Sequence, residues 1–187
     1  MENMDFHKRH VILESIRNQV EQALLVSGSE MAGLRELARE DADAVEALSP
    51  FIEQHTSAVC PDCERVCCLN RHSYHDQGDI INLYSLGERP PDYRKDVPDT
   101  EPCQFLGEQG CRLSRSLRPH RCNWFFCAPL LDRIQSLPAR EYRAFIAGLE
   151  EINRKRECLI TAFGDIMRKV PCDPGHLKGA LDEIFFT

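Results

Sequence analysis

Apolar residues in the first quarter of the chain recur at the three- and four-residue spacing of helices buried on one side. Val11, Ile12, Ile16, Val20, Ala23 and Leu24 share a face between residues 6 and 26, with charges opposite and Ser27 and Gly28 as a stop. Ser29 can cap a second helix, in which Met31, Leu34, Ala38, Val45 and Leu48 repeat in the same way. Ser49 and Pro50 are expected to break, kink or restart it, because proline lacks an N–H and crowds the preceding turn. Phe51 to Gln54 add a further turn or two. Both helices read as scaffold.

Between Cys60 and Cys127 the period fades and prolines recur, so loops should dominate. One short helix is expected there, with Asp79 as N-cap, Ile80, Ile81, Leu83, Tyr84 and Leu86 as its apolar residues, and Gly87 as its stop. Residues 88–102, with four prolines and many charges, read as an exposed connector. Pro138 can open a long helix along which Tyr142, Phe145, Leu149, Ile152, Leu159, Phe163, Met167 and Val170 keep a helical period. Unbroken to Pro171 it would span about 48 Å at 1.5 Å per residue, so Gly164 is a candidate bend or break. A last helix starts at Asp173 and Pro174 and buries Leu177, Leu181, Ile184 and Phe185. The pattern predicts a mainly α fold: a helical scaffold packed around a loop-rich core that holds a metal through cysteines. Its segments are 1–57, 58–130 and 131–187, joined in one compact domain.

Composition narrows the chemistry. The 187 residues are 42% hydrophobic and 28% charged, which is ordinary for a folded soluble chain. No stretch approaches the roughly 20 apolar residues of a membrane span, and the opening MENMDFHKRH lacks the apolar core of a secretory signal. A cytoplasmic protein without a membrane partner is expected. A net charge of −7 makes nucleic acid an unfavourable partner, since affinity for a polyanion comes from Lys and Arg displacing counterions. Ten cysteines without an export signal point to metal ligation rather than disulfides, because the cytosol keeps thiols reduced.

Eight of those ten fall between positions 60 and 127. CPDCERVCC places Cys60, Cys63, Cys67 and Cys68 within nine residues, and a tight turn can aim the two sulfurs of a CxxC pair at one ion. Side chains of the neighbours Cys67 and Cys68 tend to diverge, which suits a multi-iron cluster or a second metal better than one small tetrahedral ion. The second stretch, CQFLGEQGCRLSRSLRPHRCNWFFC, carries Cys103, Cys111, Cys122 and Cys127, and Gly107 and Gly110 let its first part fold back as a knuckle. The expected design closes one metal core with thiolates from both stretches. Zinc and an iron–sulfur cluster both fit such a donor set. His72, His75, His120 and the more distant His55 read as neighbours of the centre rather than ligands. Cys158 and Cys172 lack partner spacing and read as small buried side chains.

These residues resemble the CxxCxxCC family of bacterial and archaeal proteins, described by a zinc- or iron-chelating domain. Cys60, Cys63, Cys67 and Cys68 look like its opening motif, Cys103, Phe105, Leu106 and Cys111 like its CpfL segment and following cysteine, and Arg118, Pro119 and Cys122 like its RPxxCR segment. The likeness covers residues 60–127. It departs in having three residues between Cys63 and Cys67 instead of two, and Asn123 where an arginine usually stands. The resemblance implies metal chelation. Some relatives are linked to lysine methylation of flagellin, and others are labelled iron–sulfur oxidoreductases.

Arg112, Arg115, Arg118, His120 and Arg121 lie between Cys111 and Cys122 with no acidic residue. Arg115, Arg118 and Arg121 can hold a phosphate or carboxylate of a cofactor, or instead balance thiolate charge or pair with the acidic helices. Trp124, Phe125 and Phe126 are expected to pack around the metal and keep water from it. No dinucleotide fingerprint, P-loop, GxSxG or HExxH motif is present. The readings that remain are a protein with a structural metal that meets a partner through its acidic helices, an iron–sulfur enzyme of redox or protein-modifying type such as lysine N-methylation, and metal storage or delivery.

Overall fold

Two long helices, side by side and opposite in direction, carry most of the buried surface. The computed structural model describes residues 14–21, 30–63, 66–94, 96–108 and 110–169. Within these, helix α1 covers residues 14–21, α2 Glu30–Val59, α3 Gln77–Ser85, α4 Arg121–Trp124, α5 Ala128–Gln135 and α6 Ala139–Lys169. Strands β1, Leu106–Gly107, and β2, Gly110–Cys111, form a small antiparallel pair, and 3-10 turns lie at Asn70–His72 and Arg115–Leu117. The chain is mainly helical, as the apolar period predicts.

The apolar stripes become two clusters along one seam. Met31, Leu34 and Ala38 of α2 meet Leu159, Phe163 and Ile166 of α6, with Ile16 and Val20 of α1 and Ile80 and Ile81 of α3. Further along, Val45, Leu48 and Ile52 meet Phe145 and Ile152, with Phe126, and Leu130 and Ile134 of α5. Early α2 therefore faces late α6. Each fully buried Leu, Ile or Phe contributes about 1.5–3 kcal/mol, so the seam accounts for most of the apolar stabilisation. Gly78 lets α3 approach α6, since a Cβ there would lie 2.5 Å from Arg156 Nη2 and 2.7 Å from Ile160 Cδ1.

Several sequence expectations need correction. Pro50 does not interrupt α2, which runs through it to Val59. Burial of Leu48 and Ile52 on either side outweighs the missing hydrogen bond. Gly164 likewise lies inside an unbroken α6, whose flanking Phe163 and Ile166 are both buried. The N-cap of α3 is Asp76 rather than Asp79; Asp79 is the third helical residue and closes a capping box in which each carboxylate accepts the other residue's backbone N–H. Helix α5 crosses the expected boundary at 130/131. The N-terminal helix is seen at residues 14–21 only, and the remainder of it, Val170, Cys172 and the last expected helix lie outside the described residues.

The connector is anchored rather than simply exposed. Asn70, fully buried, donates from Nδ2 to the Val97 carbonyl at 2.8 Å, and its Oδ1 accepts from Gln104 Nε2 at 3.0 Å. Gln104 Oε1 in turn accepts the Arg94 N–H at 2.6 Å. Tyr93 reaches inward to His75, so polar contacts do here what apolar burial does between α2 and α6. Among the described residues no helix is long and apolar enough to cross a membrane.

Candidate metal centre and an adjoining polar cleft

The two cysteine-bearing stretches lie against each other. The Cys103 N–H donates to the Cys68 carbonyl at 2.8 Å, and a β-bridge pairs Leu69 with Pro102. Cys60 follows the end of α2, and a turn closed by the Cys63 N–H on the Cys60 carbonyl, 3.3 Å, brings the CxxC pair together. In the second stretch the β1–β2 hairpin sets Leu106 opposite Cys111, with Gly110 at φ +106°, a conformation that favours glycine. This is the expected knuckle. Cys122 lies in α4, and Cys127 is the N-cap of α5.

The electrostatic neighbours of each thiol describe their grouping. Cys60 feels Cys67, Cys127 and Cys63, and the Cys67 thiol feels both Cys68 and Cys127. Cys68 also feels Cys122 and Cys103, and Cys122 feels Cys111 and Cys103. None of the eight is in a disulfide: Cys60 and Cys68 are exposed, the other six half-buried. Burial, reinforced by Cys111 and Cys103, pushes the Cys122 thiol up to about 12. Burial also raises Cys103, although the backbone amides of Phe105 and Leu106 work the other way. The hydrogen bond from its neighbour raises Cys67 and lowers Cys68. Sulfurs from both stretches are thus neighbours, yet among the described residues no group of three or more His, Cys, Asp or Glu side chains is arranged to hold an ion.

The histidines are engaged elsewhere. His75 is buried, and its Nε2 lies 3.0 Å from the Leu117 carbonyl, which can only accept. The proton therefore sits on Nε2, and the Tyr93 hydroxyl donates to Nδ1. Desolvation lowers the His75 pKa. His120 Nε2 is 3.1 Å from Asn153 Oδ1, His55 Nδ1 accepts from Arg133 Nε at 3.2 Å, and His72 Nε2 accepts from Arg71 Nε at 3.3 Å.

The three arginines do not converge on one point. Arg115, 6% exposed, reaches Ser49 Oγ at 3.3 Å, the Cys122 carbonyl at 3.4 Å and Glu53 Oε1 at 3.4 Å. Arg118 donates to the Leu113 carbonyl at 3.0 Å and also pairs with Glu53, at 3.6 Å. Both therefore pair with acidic α2, and Ser49, expected only to disturb that helix, receives one of the bonds. Arg121 instead lies over the rings of Trp124 and Phe125, 5.6 and 5.3 Å from their centroids. The aromatic shield is corrected in part: Trp124 and Phe125 are exposed, while Phe126 packs edge-on against Phe145 in the helical core. Cys158 is exposed on α6 rather than buried.

Next to the cysteines is a polar cleft that the apolar pattern did not reveal. Its lining includes Asp41 of α2, Asp79 of α3, Arg115 and Arg118, Asn123 of α4 and Arg156 of α6. Asp79 is its hub: Oδ1 accepts from Arg156 Nη1 at 2.8 Å and from the His120 N–H at 3.0 Å, while Oδ2 caps α3. Arg156 also bonds Asp76. Asp41 and Arg156 both fall in register with the buried stripes, since 38, 41, 45 and 152, 156, 159 advance by three or four. Reading those stripes for charge as well as for apolar residues would have found the site. Compared with family models, curated proteins and solved structures, the chain matches none.

Proposed function

We propose that this is a metal-binding protein whose cysteine thiolates from residues 60–68 and 103–127 hold zinc or an iron–sulfur cluster. The carrying observation is the joining of those stretches, with the Cys103 amide on the Cys68 carbonyl and the Cys67 and Cys127 thiols electrostatic neighbours. Thiols that far apart in sequence meet where few apolar side chains are buried, so burial of cysteine as a small hydrophobe is a poor reason for the arrangement. The donor set fits the group chemically: eight thiols outside any disulfide, with Arg118 near enough to Cys122 to oppose its upward shift. Cys60, Cys63, Cys67, Cys68, Cys103, Cys111, Cys122 and Cys127 would supply the ligands. Because among the described residues no three donors already stand ready, the loops would close further as the ion binds, coupling metal affinity to local folding.

Zinc in such a site cross-links the loops, whereas an iron–sulfur cluster adds one-electron chemistry. The resemblance to the CxxCxxCC family supports chelation and leaves both open. Purification without oxygen, followed by metal and acid-labile sulfide analysis and a visible spectrum, separates them. Stoichiometric zinc without sulfide excludes the cluster; iron and sulfide with a brown colour exclude structural zinc. Protein that retains neither after anaerobic purification and reconstitution refutes the proposal.

A further inference from the structure

The α2–α6 seam gives way to charge at one level, where Asp41 and Arg156 replace the expected apolar pair. Asp41 is 3% exposed, and burying a carboxylate without a bonded cation costs several kcal/mol, so a helical seam gains nothing from it as packing. The cleft at this level is small, about 30 Å³, and opens to solvent.

Its charged groups are unevenly paired. Arg156 bonds Asp76 and Asp79, and Arg115 and Arg118 both pair with Glu53. Of the two carboxylates that line the cleft, Asp79 is bonded by Arg156, and Asp41 is the one that no guanidinium bonds. Asp41 Oδ2 accepts from Asn82, but Oδ1 has no partner. Asn123, 2% exposed and lining the same cleft, also has an Oδ1 without a partner. Two buried acceptors, one of them on a carboxylate without a bonded cation, therefore share a small opening.

We propose that this cleft binds a small organic cation with N–H donors, an ammonium or guanidinium group, through Asp41 and Asn123. Such a group satisfies both oxygens and gives Asp41 the bonded cation it lacks, which a water or a neutral alcohol does not. The site is distinct from the cysteine centre, although Asn123 directly follows Cys122.

The test is an NMR titration of the full chain, metal as purified, following the Asn82 and Asn123 side-chain amides. Probes are methylammonium and methylguanidinium, with tetramethylammonium as a cation lacking N–H groups. Saturable shifts are expected with one or both N–H cations and not with tetramethylammonium. Asp41→Asn should weaken binding about ten- to hundredfold, the loss of a charged hydrogen bond. Asn123→Ala, about tenfold, serves if Asp41→Asn does not fold. No saturable shift in the parent protein, equal binding of tetramethylammonium, or unchanged affinity in the variants overturns the proposal.

Discussion

The α2–α6 frame and the cysteine-bearing loops obey different physics within one chain. The frame is specified by repetition, with Leu34, Ala38, Ile152 and Leu159 each at most 2% exposed, and its contacts depend little on any single polar atom. The loops bury polar side chains instead: Asn70, Ser73 and Gln104 bond one another, and His75 is held between Tyr93 and Leu117. Apolar burial degrades gradually when trimmed, but a polar network loses a satisfied partner at once. A region built the second way has reason to gather thiols, because an ion joining them would add cross-links that the missing apolar core cannot.

The largest expected effect falls at the joint between the two regions. Asp79→Ala leaves Arg156 with only the Asp76 carboxylate, removes the capping-box bond to the Asp76 N–H and frees the His120 amide. Denaturant unfolding should show a loss of about 3–5 kcal/mol. Leu159→Ala, in the frame alone, should cost about 2–5 kcal/mol, and by the same amount with or without chelator. A cost that depends on chelator would break the division between frame and loops.

The cysteines should behave in the opposite manner. Removing the metal should lower stability by about 3 kcal/mol when the free ion had stood a hundredfold above its dissociation constant. Cys63→Ser and Cys122→Ser should reproduce that loss in metal-loaded protein and change the chelated protein little, as thermal unfolding with parallel metal analysis would show. Exposed Cys158→Ser should change neither.

The smallest effect concerns His75. Tyr93→Phe removes the hydroxyl that donates to Nδ1 and should cost about 1 kcal/mol in denaturant unfolding at pH 7. His75 has a folded pKa below its ordinary 6.5, so the unfolded chain takes up the proton first. Its contribution is complete above pH 6.5 and is lost as pH falls from there through the lower folded pKa. Asp41 acts in the other direction, because burial raises it from 3.8 to about 6 and stability should grow as pH drops across that window. Comparing His75→Gln and Asp41→Asn with the parent between pH 7 and 4 separates the two slopes.

The frame was legible because Met31, Leu34, Ala38, Val45 and Leu48, all buried, form the stripe that the spacing predicts. The knuckle was legible because Gly107 and Gly110 permit one kind of turn. Local signals misled where tertiary packing outweighed them, as at Pro50 and Gly164. Asp76 and Asp79 both suit a helix start, and the reciprocal bonds that order them appear only once the turn is built. Tyr93 looked exposed because it sits among prolines and charges, and its partner His75 lies 18 residues earlier. Asp41 was passed over because the stripe was read for apolar residues alone.

X-ray absorption at the edge of the co-purified metal tests the central claim most directly, applied to the parent protein and to Cys63→Ser and Cys122→Ser. Shared ligation predicts a sulfur shell in the parent and a loss of sulfur, or of the metal, in both variants, one from each stretch. A parent shell of nitrogen and oxygen, or a sulfur shell that survives both substitutions unchanged, would contradict it.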